Sequence, residues 1–350
     1  MLRCGPKVMT GMNGRLSRER RISHALVFIL LVLVAWLHLA KPFITVLFAY
    51  FALSMLHFTK RRWVAVVLFL IVVSGIFYGF VYFLKQAVVA LPRIAETSIP
   101  SIIAYARSHG FELPFEDLES LKSLILDTVK DEMRYVGNFA RFATKEFVFV
   151  MIGLVVAISL FLNPTIDLDR ENHQVKNNLY SLYCDEIAAR FRSFYRSFAT
   201  VMGAQLIIST INTTLTAMFI LAVSLPHAGV ILGVTFLVGF LPIVGNLISN
   251  SIVVGVAFTR SPQLAMGGLV FLIGLHKLEY FLNSKIIGNR IKNPVWLTLL
   301  GLILGERLMG IPGMVLAPVI LNYIKVEASQ IQVRQDEKTP AQQVQGACVD

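Results

Sequence analysis

Charge is scarce in this chain. Only 15% of its 350 residues are Asp, Glu, Lys or Arg, and 56% are hydrophobic; a water-soluble domain carries about 25% charged residues. With a mean hydropathy of +0.68, that balance excludes an ordinary soluble globule. Cysteine is nearly absent as well. Cys4, Cys184 and Cys348 stand far apart, so no C-x-x-C pair exists to suggest a disulfide framework or a zinc site. The signatures G-x-x-x-x-G-K-[ST], H-E-x-x-H and G-x-S-x-G are all missing. The chain is therefore expected not to be an enzyme and to need neither cofactor nor metal. The net charge of +11 would point to nucleic acid in a soluble protein. Here the basic residues gather at the ends of apolar runs, which makes them topology signals and argues against a nucleic-acid partner.

What the chain does have is apolar length. A helix needs about 17 to 25 residues to cross a bilayer, and runs of that order occupy 22–40, 42–58, 63–84, 147–162, 199–225, 228–258, 264–282 and 295–324. The first follows a basic leader without a small-residue cleavage pattern and is expected to be retained. The fold expected is an all-α polytopic membrane protein with about six full transmembrane helices, two re-entrant helical hairpins and an amphipathic helical extramembrane insert. The expected organisation is a basic cytoplasmic tail (1–21), three transmembrane helices (22–84), an extracytoplasmic insert (85–146), a membrane region (147–325) and a disordered, Gln-rich cytoplasmic tail (326–350).

The charges set the orientation. Arg3, Lys7, Arg15, Arg18, Arg20 and Arg21 precede the first run against the single acid Glu19, which places the N-terminus inside. Lys60-Arg61-Arg62 marks the next inside loop. Residues 85–146 hold eight Lys/Arg and nine Asp/Glu, no positive excess, and are expected outside. The next inside cluster is Lys285, Arg290 and Lys292. Run 264–282 reaches it from outside, so 228–258 must begin and end outside.

That run contains GFLPIVGN, with Gly239, Pro242, Gly245 and Asn246 at its middle. A re-entrant hairpin at 228–258 fits, because irregular backbone at membrane depth is tolerated where it faces protein or a water-filled cavity. Run 295–324 is broken by GERLMGIPG, with Glu306, Arg307 and Pro312. A second hairpin, entered from the inside, would shelter those charges at its tip. Broken segments entering from opposite sides are the sequence pointer to a transporter binding site. The alternative is that Pro242 and Pro312 merely kink ordinary spans.

Polar residues inside the apolar runs are the other candidates. Gln205, Ser209, Asn212, Thr213 and Thr216 recur at three- and four-residue spacing. They form a stripe that either lines a path or bonds helices together. His276, Lys277 and Glu279 crowd the inner end of run 264–282, where a carboxylate could bind a cation or proton or simply reach water. Gly75-x-x-x-Gly79 permits close helix packing. In the insert, leucines at helical spacing (Leu118, Leu121, Leu124) predict helix, with breaks at 91–92, 98–100 and 109–114. Residues 170–198, with Phe191, Phe194, Tyr195 and Phe198 on one face, read as a helix lying at the inner interface. Asp167-x-Asp169 reads as a solvated turn.

The stretches FLVGFLPIVGNLIS (236–249) and LEYFLNSKIIGNRIKNPVWLTLLGLILGERLMGIPGMVLAPVILNYIK (278–325) resemble the AI-2E family of bacterial transporters. The matching features are the G-x-x-P-x-x-G turn, Glu279, Asn283, Lys285, Gly288, Pro294, the Gly-rich run through Gly310, and Ala317-Pro318. Ser284 and Asn246 stand where the family often has proline, which puts local turn shape in question. The resemblance, over about residues 22 to 325, implies a multi-pass protein of the bacterial inner membrane. It implies a substrate that is a small solute or ion, such as an autoinducer-2-like signal or sodium or lithium exchanged for protons. It also implies a homo-oligomer, a pentamer in the family pattern. The function expected is secondary transport by alternating access; the alternative is a passive oligomeric channel or a membrane scaffold.

Overall fold

The computed structural model describes residues 18–58, 61–110, 139–175, 178–241, 244–282 and 294–331. Among them every regular element is a helix: α1 Arg18–Trp36, α2 Ala40–Met55, α3 Arg62–Ser108, α4 Phe139–Leu162, α5 Leu179–Ala222, α6 Ala228–Val238, α7 Val244–Phe258, α8 Pro262–Leu282, α9 Val295–Met309 and α10 Ile311–Ser329. α4, α5, α10 and the 62–87 part of α3 are long and apolar enough to cross a membrane. The protein is an all-α polytopic membrane protein.

Two helices are much longer than a membrane is thick. At 1.5 Å per residue, α3 runs for about 70 Å and α5 for about 66 Å, against a hydrocarbon core of about 30 Å. Both correct the sequence reading. α3 passes through Pro92 and Pro100 without a break, so residues 88–108 extend the same helix beyond its apolar 62–87 part; the first turn break comes at His109-Gly110. The leucines at 118–129 lie outside the described residues. α5 joins the supposed interfacial helix to the following span as one element, with Asn178 capping its start through the Ser181 amide, 2.8 Å. Its aromatic face is core: Phe194 and Phe198 are buried against α1, α2 and α10, and only Phe191 is exposed.

The N-terminal half is a three-helix contact. α2 and α4 run parallel. Lys41 pairs with Glu146 at their starts, the Thr45 side chain fills the space over Gly153, and Tyr50 meets Phe161 edge-on at 6.1 Å. α3 begins where α4 ends, and Arg62 Nη1 donates to the Leu162 carbonyl at 2.7 Å. Ala65, Val66 and Phe69 close this cluster. Beyond them nearly every side chain from Leu70 to Phe80 is exposed, and nothing lies within 4 Å of a Cβ built on Gly75 or Gly79.

α6 and α7 form an antiparallel pair. Ser249 Oγ on α7 donates to Thr235 Oγ1 on α6 at 2.9 Å. Gly245 lies so close to the Val238 carbonyl that a Cβ would overlap it. The pair leans on the second half of α3, residues 83–105. Phe83 covers Gly233, Ala87 and Ala90 meet Val230, Ile94 joins the cluster of Val253 and Val256, and Tyr105 reaches Phe258 at 5.5 Å. The open end of the pair therefore lies along α3 residues 90–105, and its tip faces back toward the 62–84 half. The arms span only about 17 and 23 Å.

α9 and α10 form a second antiparallel pair, with Gly301 under Leu321 and Gly305 against Gly313. Gly310 makes the turn at φ +65° and ψ −149°, a conformation essentially closed to other residues. Pro312 sits in the first turn of α10, where a missing amide hydrogen costs nothing. α10 has 19 residues and is long enough to span by itself, unlike either arm of the first pair. It also runs to Ser329, four residues into what reads as a disordered tail, and Glu327 there is buried. The 163–175 loop differs from expectation too. Asp167 accepts from Ser181 Oγ at 2.6 Å and meets His173 Nε2 at 3.0 Å, and these partners hold its carboxyl below the ordinary carboxylate range. It is an anchor, not a solvated turn.

Gly313→Val should be among the most damaging single changes. Its side chain would have to occupy the space of the Gly305 carbonyl, and clashes of this kind cost about 3 kcal/mol or more. Gly267→Ala, with nothing within 4 Å, is the control. Thermal unfolding in detergent should show a large loss for the first and almost none for the second.

Candidate functional site

A helix that stops inside an apolar medium leaves its last carbonyls without intrahelical partners, and each must find another donor. α6 stops at Val238. The Gly239 carbonyl accepts from Gln205 Nε2 at 2.6 Å, and the Phe236 carbonyl accepts from Ser209 Oγ at 2.9 Å. Both donors come from α5, one turn apart, and a side chain on Gly239 would displace Ser209. One turn further along, Asn212 Nδ2 donates to Glu279 Oε2 on α8 at 3.3 Å. The stripe on α5 thus bonds helices together at three successive turns. Thr216, one turn on, is buried.

Glu279 is therefore held from across the bundle. Its side chain is 13% exposed, and His276 Nδ1 lies 3.8 Å from Oε2. Lys277 is exposed on another face of α8. Asn212 Oδ1 and the adjacent Thr213 Oγ1 are buried without a hydrogen-bond partner. Unpaired buried oxygens beside a carboxylate favour a cation or a proton donor.

Other sequence candidates fall elsewhere. Glu306 and Arg307 stand exposed on the last turn of α9, not sheltered, and neither joins the Asn212–Glu279 pair. Gly245 and Pro312 shape the two turns. Asn246 lies in the first turn of α7, and its side chain is outside the described set. Pro242, Asn283, Lys285 and Gly288 also lie outside the described residues.

The two tips meet on one surface. Leu241 after α6 and Met309 at the end of α9 both pack on the cluster containing Phe198, Met202 and Leu316. Phe240 stacks edge-on with Phe48 at 6.4 Å. It also closes a cleft of about 410 Å³ between α2, α3, α4 and α5, apolar apart from Thr45. That cleft suits a hydrocarbon chain and offers nothing to a charged solute.

Helices interrupted at mid-bundle and packed tip-first on a long helix with a polar stripe mark a polytopic membrane protein whose irregular backbone is sheltered by neighbouring helices. The chain belongs to the AI-2E family: the model described as AI-2E family transporter matches residues 20–331. Over 179 residues the chain is 26% identical to the "Putative transport protein YdbI" of Bacillus subtilis (strain 168); the match covers 49% of this chain and 51% of that protein, so the chain spans about half the length of the curated relative it matches.

Two buried charges, Arg190 and Glu327, and the partly exposed His24 escaped the sequence reading; they meet where α1, α5 and α10 converge. The usable signal was Glu327 itself, an acid one helical turn beyond Tyr323 on an apolar helix.

Gln205→Leu keeps the bulk but strands the Gly239 carbonyl, and a buried unpaired acceptor costs about 1–3 kcal/mol. Its thermal unfolding should fall by several degrees. Thr210→Val, which removes an exposed hydroxyl bonded only to its own helix at Leu206, should leave the unfolding temperature within error of wild type.

Proposed function

We propose that this protein is a secondary transporter of the bacterial inner membrane. It moves a small solute or ion, an autoinducer-2-like signal or a sodium- or lithium-type cation exchanged for protons, by alternating access. The observation that carries this reading is the Asn212–Glu279 pair across α5 and α8, one turn from the carbonyls of a broken helix, with the second amide atom of Asn212, Oδ1, buried and unpaired. A carboxylate in such a place can exchange a proton for a cation, and Asn212 and Thr213 supply neutral oxygen ligands of the kind hard cations take.

The proposed topology follows the charges, with both termini cytoplasmic. α6 and α7 enter from the outside and return, since neither arm alone crosses the core. α9 and α10 start and end on the inside, whether the pair turns within the membrane or crosses it twice. Gly75, Gly79 and the bare middle of α3 form the surface available to lipid or to other copies in a homo-oligomer.

Two experiments test this reading. Ala228→Cys and Thr259→Cys should both react with an impermeant thiol reagent added from outside; reaction from opposite sides would remove the re-entrant pair. Glu279→Gln should lower gradient-driven sodium or lithium flux in proteoliposomes by tenfold or more, about 1.4 kcal/mol, with yield and oligomer size unchanged. Wild-type flux across pH would make Glu279 an interfacial anchor, and flux indifferent to any imposed gradient would favour a channel.

A further inference from the structure

α10 carries the second helical pair, and almost all of the packing of α9 is on α10. How firmly α10 is held thus decides how freely that pair moves. Its apolar face is fixed first: Leu316 and Val319 join Phe198 and Met202, and Tyr323 meets Phe194 at 5.4 Å. One turn later the contact becomes ionic. Glu327 Oε2 is bonded by Arg190 Nη1 of α5 and lies 3.1 Å from His24 Nε2 of α1. Ser193 also donates to the carboxylate, and Glu186 Oε2 lies 3.7 Å from Arg190 Nη2.

The position of His24 is unusual. Its Nε2 is 3.1 Å from a carboxylate oxygen and 3.4 Å from the Arg190 Nη1 that serves the same oxygen. A neutral ring presents either a lone pair at Nε2, which accepts from Arg190 and repels Glu327, or a proton there, which makes an ordinary hydrogen bond to Glu327. Once both ring nitrogens carry protons, it can only donate, and it makes a charge-assisted bond to Glu327. Protonation of this one ring therefore strengthens the tie between α1 and α10, which already share the apolar cluster of Val27 and Leu316. Burial makes that ring the point of control. The side chains of Glu327 and Arg190 are 7% and 10% exposed, and that of His24 is 28% exposed. Arg190 Nε, Tyr323 OH and Glu186 Oε2 are buried beside it without hydrogen-bond partners, so the pocket is polar beyond its ion pairs. The charged groups that face His24 are Arg190 on α5 and Glu327 on α10, and these in turn meet Glu186 on α5 and Tyr323 on α10. Arg190 and Glu327 are the ones at its Nε2.

We propose that His24, Arg190 and Glu327 form a proton-responsive latch, in which protonation of His24 ties α10 to α1 and restrains the second helical pair. The latch does not depend on what Glu279 binds, and its test needs no substrate. Amide hydrogen exchange of residues 320–329 is measured on the full chain in lipid nanodiscs at about pH 6 and pH 8, after correction for intrinsic exchange. Wild type should be about tenfold better protected at the lower pH, the effect of one added charge-assisted bond. His24→Gln, neutral throughout, should show no difference and match wild type at pH 8. His24→Lys, charged throughout, should show no difference and match or exceed wild type at pH 6. If His24→Gln does not fold, His24→Lys decides alone. Wild-type protection independent of pH, or a pH difference that survives either substitution, overturns the latch.

Discussion

The constraint on which this structure depends is that backbone carbonyls released inside an apolar medium must be given donors. Three helix ends show it. Arg62 reaches the last carbonyls of α4, Arg260 Nη2 donates to the Ser224 carbonyl just beyond α5 at 2.6 Å, and Gln205 with Ser209 serves the end of α6. In each case the donor is far away in sequence, on another helix or, for Arg260, in the turn between α7 and α8, so the cap also fixes how two segments are placed. At α6 the break and its cap need each other. Without the stripe on α5 the chain could not stop at Val238, and without the stop the stripe would be a row of stranded polar groups.

From this follows the role of α5 as a common support. Its middle holds the tip of the first pair, its next turn binds Glu279 through Asn212, and its opposite end holds α10 by aromatic stacking and then by charge. The two tips settle on the same cluster around Met202 because α6 and α10 both run antiparallel to α5. The chain thus has two enclosed polar sites along one helix. The one near its middle leaves oxygens of Asn212 and Thr213 without hydrogen-bond partners. The one near its start is closed by opposite charges.

Much of this was legible in the sequence. The apolar runs gave the membrane class, Gly239 to Gly245 and Gly305 to Gly313 marked the breaks, and the spacing from Gln205 to Thr216 marked the stripe. What was not legible has a physical cause. Composition shows where a chain is polar but not whether its helices stop there, and α3 and α5 continue because nothing in a helix of such length forces an end at the membrane surface. Pro92 and Pro100 looked like breaks since proline removes one backbone hydrogen bond, yet the helix absorbs both. Glu327 was assigned to a tail because its partners, Arg190 and His24, are 137 and 303 residues away in sequence. Long-range charge pairing leaves no local pattern to read.

The central claim is that the site at Asn212 and Glu279 is reached from both sides of the membrane in turn. The most direct measurement uses Thr213→Cys in a chain whose native cysteines are replaced by serine, reconstituted in one orientation. Its reaction with an impermeant thiol reagent is followed from each side under opposite sodium and proton gradients. The account predicts that the residue reacts from either side and that reversing the gradients reverses the favoured side by severalfold. Reaction from one side alone under every gradient, or from neither, would contradict it.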